Sequence, residues 1–320
     1  MTNNARSGPK FRNATVVGGG VIGISWSALF LARGLQVTVS DPLPDVEGRV
    51  RSSLQEIAPT LEQLGLPVET LERPSPALQF EADAAAAVRA ADVVQENAPE
   101  RLEIKQQLWR AIERAAPAHA LFASSSSTLP ASEMAQGMQS RGRLIVGHPF
   151  NPPHLVPLVE VVPSKTTDPA VVELAVSFYK AIGKRPQVLA RETPGFVANR
   201  LQAALFREAV NLVVQGVVSE QQLDDVVTSS IGLRWAVEGP FRTFHLGGGP
   251  GGLPDFLVHL GPAMQALWSQ LGTPSLDEST VDLLDRQAKD FPGSVDELSA
   301  QRDDAQIRLM RALDEPAGTV

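Results

Sequence analysis

The chain has 320 residues, 43% of them hydrophobic and 20% charged, with a formal net charge of -8 and no cysteine. Such a length supports one large or two medium domains with ordinary globular cores. The acidic balance argues against a nucleic-acid binder or a basic membrane-facing surface. The lack of cysteine excludes disulfides, thiolate catalysis and cysteine-ligated zinc, and fits a reducing, cytoplasmic setting. No metal site is expected.

The opening "MTNNARSGPKFRN" has no apolar core of the kind a secretory signal needs, so residues 1–12 are expected to form a flexible leader. The uncharged span from Val16 to Ala32 is interrupted by Gly18, Gly19, Gly20 and Gly23. It is too short and too broken for a membrane helix. Instead "ATVV" reads as a strand, "VIGISWSALFLARG" as a helix ending at Gly34, and "LQVTVSD" as a second strand. Together they make a parallel βαβ unit. Short apolar runs continue the strand pattern at "ADVVQE", "ALFASS", "LIVGHP", "LVEVVP" and "PQVLAR". Helical segments at 101–115 and 169–182 lie between some of them. This alternation predicts a doubly wound α/β domain over 13–192. From residue 193 the apolar positions recur at three- and four-residue spacing without strand alternation, which predicts an all-helical domain over 193–320. "GGGPGG" at 247–252 is expected to be a loop.

Gly18, Gly20 and Gly23 form G-x-G-x-x-G between the first strand and the first helix. In a dinucleotide site the first glycine permits the tight turn, the second lets a pyrophosphate approach the backbone, and the third lets helix and sheet pack closely. Val21 and Ile22 lie inside the same loop, where the helix N-terminus offers amide donors to phosphate. Asp41 ends the second strand, where a carboxylate accepts ribose hydroxyls and repels a 2′-phosphate, so the choice is NAD over NADP. A tight glycine turn that binds nothing would carry the same glycines. The flanking strand and helix and the spacing to Asp41 favour the cofactor.

His148 follows an apolar strand and precedes a Pro-Phe-Asn-Pro turn, at the C-terminal end of a strand in a parallel sheet, where such folds bind ligands. Glu160 lies within the apolar run "LVPLVEVV", and a buried carboxylate needs a partner. A histidine held by it would be a stronger base with one tautomer fixed. A satisfied core histidine beside a solvent-facing glutamate is the alternative. His154 suits neither a helix face nor a metal pair with His148 and reads as structural or pocket-lining. His119 and His259 read as surface or helix histidines, and Arg302, Asp303 and Asp304 as a solvated helix face.

From about residue 12 to 245 the chain resembles the 3-hydroxyacyl-CoA dehydrogenase superfamily, through "GGGVIG", "ENAPERLEIK", "SSSSTL", "GHPFNPP", "LVEVV" and "TPGFVANR" in order. The resemblance implies that Ser127, His148, Glu160 and Asn199 form the catalytic set and that Asp41, Glu100, Lys105, Ser127 and Asn151 belong to the NAD site. It implies NAD as cofactor, oxidation of a 3-hydroxyl to a ketone, and a homodimer assembled through the helical domain. One departure is that Ser125-Ser126-Ser127 stands where the family has Asn-Thr-Ser.

The family's fatty-acid members carry a lysine-rich helix for the CoA phosphates. Here "EGRVRSSLQEIAPTLEQLGL" has two arginines followed by acids. The later "GLRWAVEGPFRTFHLGGGPGGLPDFLVHLGPAMQALW" is most similar to the branch of L-carnitine dehydrogenases, and in part to the L-gulonate 3-dehydrogenases and lambda-crystallins. Both enzyme groups oxidise a free 3-hydroxy acid. Arg234 is therefore expected to anchor a carboxylate, unless it merely pairs with Glu238 at i and i+4. Trp235, Phe241, Phe244 and Trp268 are expected to wall a trimethylammonium group, with helix-core packing as the plain alternative. A 3-hydroxyacyl-CoA substrate such as 3-hydroxybutyryl-CoA, or a crystallin-like structural role with a retained NAD site, are the competing readings.

Overall fold

The computed structural model describes residues 11–314, which fall into two compact units divided between Val197 and Ala198. Most of the leader expected over 1–12 lies outside the described residues. Its last two residues are ordered. Phe11 packs edge-on against Phe178 at 5.0 Å, and the Arg12 N–H donates to Asp92 at 2.8 Å. The first unit is thus already anchored before Asn13.

That unit is built on an eight-stranded sheet. Its strands are β1 (Asn13–Val17), β2 (Gln36–Ser40), β3 (Leu78–Phe80), β4 (Val93–Glu96), β5 (Leu121–Ser124), β6 (Leu144–Pro149), β7 (Leu158–Pro163) and β8 (Arg185–Val188). Their order is β3-β2-β1-β4-β5-β6-β7-β8. The sheet is parallel from β3 to β6, as helix-linked crossovers demand. β6 and β7 pair antiparallel, the one reversal in an otherwise parallel doubly wound sheet. Only residues 150–157 join these two strands, and a parallel crossover needs a dozen residues or more. The three-residue edge strand β3 carries too few residues to show a period, and the sequence reading missed it.

The helix after β1, α1 (Val21–Ala32), is buried along nearly its whole length, from Gly23 to Ala32. It is sandwiched, with Trp26 and Phe30 stacked at 5.3 Å and Phe30 meeting Phe178 of the helix Pro169–Ala181. A helix covered on all sides reads as continuously apolar. That is why this stretch mimics a membrane span in sequence, although no described helix is long and apolar enough to cross a membrane.

The second unit is helical throughout: Ala198–Val214, Glu220–Ser229, Ile231–Val237, Pro240–Gly247, Gly252–Trp268, Glu278–Ala288 and Val295–Asp314. The division falls after Val197, beyond the expected 192/193, because Phe196 and Val197 bond back into the first unit. The glycine run at 247–252 is not a slack loop. Gly247 ends one helix, Gly252 starts the next, and 249–251 form a single 3-10 turn. A Cβ on Gly248 would overlap the Gly252 carbonyl. Without side chains there, Phe244 stacks on Phe256 at 4.7 Å across the two helices.

Candidate active site

The glycine loop meets the steric demands of a dinucleotide cradle. Gly18 has φ +99°, and a Cβ on it would stand 2.6 Å from the Asn97 carbonyl oxygen. A Cβ on Gly23 would overlap the Gly18 carbonyl, so α1 and β1 pack at a distance only glycine allows. Gly20 differs: nothing lies within 4 Å of its missing side chain. It begins α1 with no side-chain cap and no acid in the first turn, so no side chain caps the amides around Val21 and Ile22. Uncapped donors at a positive helix end suit a pyrophosphate. Asp41 closes the loop, its carboxylate accepting from the Gly19 N–H at 2.8 Å and the Leu43 N–H at 2.9 Å.

Three sheet strands deliver the polar groups. β6 and β7 set His148 directly opposite Glu160 in the antiparallel register. Adjacent side chains on one face of such a pair meet, and Nδ1 of His148 stands 2.9 Å from Glu160 Oε2, both groups buried. The carboxylate accepts the Nδ1–H, which leaves Nε2 as the basic nitrogen. Ser127, on the loop after β5, places its Oγ 3.1 Å from that Nε2. The other carboxylate oxygen of Glu160 accepts the Val197 N–H at 2.9 Å. The solvent-facing reading of Glu160 is thereby excluded.

Phe196 is a functional neighbour that pattern reading missed. It holds φ 50°, a left-handed backbone that bulky side chains avoid, directly after Gly195. The turn carries its buried ring to 5.2 Å from the His148 imidazole and aims the next amide at Glu160. Such strain persists only where surrounding contacts enforce it. The signal lay in "TPGF", a proline-glycine turn followed at once by a large aromatic.

Glu100 organises the serine loop. Its Oε1 accepts from the Ser126 hydroxyl at 2.5 Å, the Ser127 N–H at 3.1 Å, and the Thr128 N–H and hydroxyl at 3.0 and 2.8 Å. Desolvation pushes this carboxyl up, but the Ser126 hydroxyl, the Lys105 ammonium and Thr128 outweigh it and hold it down at about 2. Beneath it Lys105 is 1% exposed and paired with Glu96 at 2.7 Å, donating also to the Ala98 carbonyl at 3.1 Å. Burial drives Glu96 toward its neutral form, and Lys105 opposes this. Lys105 reaches the open face only through Glu100, at 3.4 Å. Asn151 is exposed in the turn after β6. Where the family has asparagine, Ser125 accepts from the Trp26 indole at 3.1 Å and from Gln95 at 2.8 Å and donates to Asn97 at 2.7 Å. The departure is locally satisfied.

Asn199 lies near the start of the helix Ala198–Val214 in the second unit. Arg234 is exposed within the helix Ile231–Val237, not beyond a helix end. Its expected alternative partner, Glu238, lies past that helix in extended backbone and instead meets Arg242 at 3.1 Å. Of the aromatic group, Phe244 is engaged by Phe256, whereas Phe241 and Trp268 are 78% and 64% exposed and Trp235 is 42% exposed. Among the described residues no ring contact joins these four to one another. A cavity of about 490 Å³ in the same unit, lined by Phe206, Val210, Val213, Leu223, Val281 and Phe291, contains none of the candidate residues. His154 bonds Ser25 from its ring at 2.8 Å as a structural group, His119 sits at the surface beside Asp92, and the His259 ring bonds the Asp255 carbonyl one turn back in its own helix. Arg302 pairs with Asp303 and Arg308 with Asp304, along one helix.

A glycine cradle at the end of β1, with a serine–histidine–glutamate chain at the end of β6, defines a dinucleotide-dependent oxidoreductase acting on an alcohol or carbonyl. Comparison with known proteins narrows this class. Residues 13–193 match the family model described as "3-hydroxyacyl-CoA dehydrogenase, NAD binding domain", and residues 195–283 match its "C-terminal domain". The chain belongs to the 3-hydroxyacyl-CoA dehydrogenase family and is an NAD-dependent oxidoreductase acting on CH–OH. It is 45% identical to an L-carnitine dehydrogenase of Nocardiopsis dassonvillei, covering 98% of this chain and 96% of that one. It is 41% identical to a 3-hydroxyacyl-CoA dehydrogenase of Gibberella moniliformis, covering 95% of each. Among solved structures it is similar to 5-formyl-3-hydroxy-2-methylpyridine 4-carboxylic acid 5-dehydrogenase, described as an NAD+ dependent dismutase. There the TM-score is 0.80 at 30% identity over 95% of this chain and 99% of that one. It is also similar to 3-hydroxybutyryl-CoA dehydrogenase from Escherichia coli K12, with a TM-score of 0.61 at 27% identity over 74% of this chain and 50% of that one.

Proposed function

We propose that the chain oxidises the 3-hydroxyl of a small free 3-hydroxy acid, L-carnitine, to the 3-keto acid. The observation that carries the chemistry is the hydrogen-bonded chain from the exposed Ser127 Oγ through buried His148 to buried Glu160. His148 Nε2 takes the hydroxyl proton, and Glu160 holds Nδ1–H and stabilises the imidazolium that forms. Ser127, with Asn199 as the resemblance assigns it, donates to the reacting oxygen as it becomes a ketone. NAD, when bound, supplies the hydride acceptor. Gly18, Gly20, Val21, Ile22, Gly23 and Asp41 hold it, and Asn151 and Glu100 complete the site, with Lys105 acting through Glu100.

The free acid is supported by relatives named for L-carnitine at 45% and 43% identity and by a structural relative named for a pyridine carboxylic acid. In this reading Arg234 anchors the carboxylate, and Trp235, Phe241, Phe244 and Trp268 wall the quaternary ammonium. The arginines of the helix Val46–Gln63 support it too. Arg49 and Arg51 are each paired with an acid one turn away, Asp45 and Glu47. A second reading, a 3-hydroxyacyl-CoA substrate, is favoured by the Gibberella relative. NADH formation with L-carnitine, L-gulonate and 3-hydroxybutyryl-CoA separates them. Turnover of the thioester alone overturns the free-acid reading, and NAD binding without turnover of any favours a structural role.

We further propose a cytoplasmic homodimer assembled through the second unit. Leu201, Phe206, Leu233, Val258 and Trp268 are large apolar side chains left exposed there. Sedimentation as a monomer at micromolar concentration overturns it.

A further inference from the structure

The reading of His148 and Glu160 as a base and its support leaves one buried cation unused. Lys184 is 6% exposed and precedes β8 by one residue. The β7–β8 register pairs Leu158 with Arg185, and the Arg185 N–H donates to the Pro157 carbonyl at 2.8 Å. Lys184 therefore stands one step beyond the start of β7, beside the turn that joins β7 to β6. Its ammonium crosses to that turn and donates to two carbonyls, those of Pro153 and of Val156, the latter at 2.7 Å. Its stem runs beside Trp26, with Nζ 5.3 Å from the ring centroid. The charged group facing it is Arg33 at the end of α1, which adds to desolvation in lowering its proton affinity.

The same turn is tied from the opposite side. The Ser25 hydroxyl, on α1 two residues past Gly23, accepts the His154 N–H at 2.8 Å and bonds the His154 ring nitrogen at 2.8 Å. The Leu155 and Val156 amides are spent on the Pro152 carbonyl, each at 3.0 Å. That leaves the Pro153 and Val156 carbonyls for an outside donor, and buried carbonyls without one cost stability. This turn sets the relative placement of β6 and β7, hence of His148 and Glu160, which face each other across those strands.

We propose that Lys184 is a positioning residue for the reaction: by clamping the 152–156 turn it keeps Glu160 aligned on the His148 Nδ1–H. A lysine serves because three donors on one point charge reach both carbonyls from a single stem. The proposal rests on the functional reading above.

The test uses full-length protein with 15N-labelled histidine, NAD and L-carnitine. The His148 ring N–H resonance is assigned by its loss in His148→Gln. In Lys184→Met, which keeps the stem, that proton is expected to exchange with solvent at least about tenfold faster or vanish. The kcat is expected to fall about 10- to 100-fold with little change in KM, as misplacement of a catalytic group does. Combined with Glu160→Gln, the loss in kcat is expected to be less than the product of the single losses, because both act on one hydrogen bond. If Lys184→Met lowers only the melting temperature and leaves the resonance and kcat intact, the residue is a packing element and the proposal fails. If Lys184→Met does not fold, Lys184→Gln, which reaches one carbonyl at most, is read by the same two outcomes. If Glu160→Gln keeps normal kcat, the functional reading falls instead, and proton exchange alone decides Lys184.

Discussion

The proposed polar groups of the first unit are bonded to one another. Ser127 meets His148, His148 meets Glu160, Glu160 accepts the Val197 amide, and Glu100 gathers the loop that carries Ser127. The candidates of the second unit are presented the opposite way. Arg234, Phe241 and Trp268 stand exposed, and Arg234 has no carboxylate within ion-pair distance among the described residues. The difference follows from the chemistry asked of each set. A proton-transfer group must be aligned before substrate arrives, so its surroundings are built into the fold. A group that recognises a charged substrate keeps its hydrogen bonds for that substrate, and its geometry is completed by what covers it.

The largest effect breaks the aligned set. His148→Gln is expected to lower kcat by at least about 100-fold, the usual scale for a lost general base, with NAD affinity nearly unchanged. Glu160→Gln acts in the same direction, through loss of the charge that supports the imidazolium. Titration of NAD by fluorescence alongside steady-state kinetics checks both, and a near-normal kcat in either variant removes that residue from its role.

Next comes the recognition set. In the proposed site Arg234→Met would remove a charge-assisted bidentate contact worth about 2–3 kcal/mol, so KM for the free acid is expected to rise roughly 30- to 150-fold. Because the side chain is exposed and bonded to no acid of its own helix, the melting temperature is expected to stay within about a degree or two. An unchanged KM with a lowered melting temperature would reverse the comparison and make Arg234 structural.

The sequence made the aligned set more legible than the recognition set, for a physical reason. Glycine spacing and strand alternation are local, so Gly18, Gly20, Gly23, β1 and six of the seven strands beyond it carry their own signal. His148 and Glu160 came forward because each is polar inside an apolar run. What stayed hidden depends on pairing between distant segments. The antiparallel turn of β7 is a matter of connection length, the strain at Phe196 is paid by contacts across the fold, and Lys105 looked available until Glu96 enclosed it. Aromatics at helical spacing read alike whether they line a site or a helix hairpin, and the stacking of Phe244 on Phe256 carries no signal in the sequence.

A smaller effect concerns cofactor choice. The Asp41 carboxylate already fixes Gly19, and in the proposed site it also accepts from the ribose and repels a 2′-phosphate. Asp41→Ala is expected to reduce the preference for NAD over NADP by about tenfold or more, the equivalent of one charge-assisted hydrogen bond. Measured kcat/KM for each cofactor gives the ratio, and an increased preference for NAD would sink the assignment.

The smallest effect separates the two regions by pH. The Glu100 carboxyl is held at about 2 in the folded chain, with desolvation outweighed by the Ser126 hydroxyl, the Lys105 ammonium and Thr128, against an ordinary value of 4.5. As pH falls, the unfolded chain therefore takes up this proton first. The contribution of Glu100 to stability is complete above about 4.5 and is lost progressively as pH drops toward 2. The group is more than a third exposed, so solvent screening keeps the effect modest. Urea midpoints for the native chain and Glu100→Gln are expected to differ at neutral pH and to converge as pH is lowered through about 4 toward 3. Arg234→Met, which removes no hydrogen-bonded acid, is expected to track the native chain across the same range. A Glu100→Gln difference that stays constant with pH would mean that the amide replaces the carboxylate without loss. The serine loop would then be held by shape alone, and the contrast between a bonded first unit and an open second one would rest on His148 and Glu160 only.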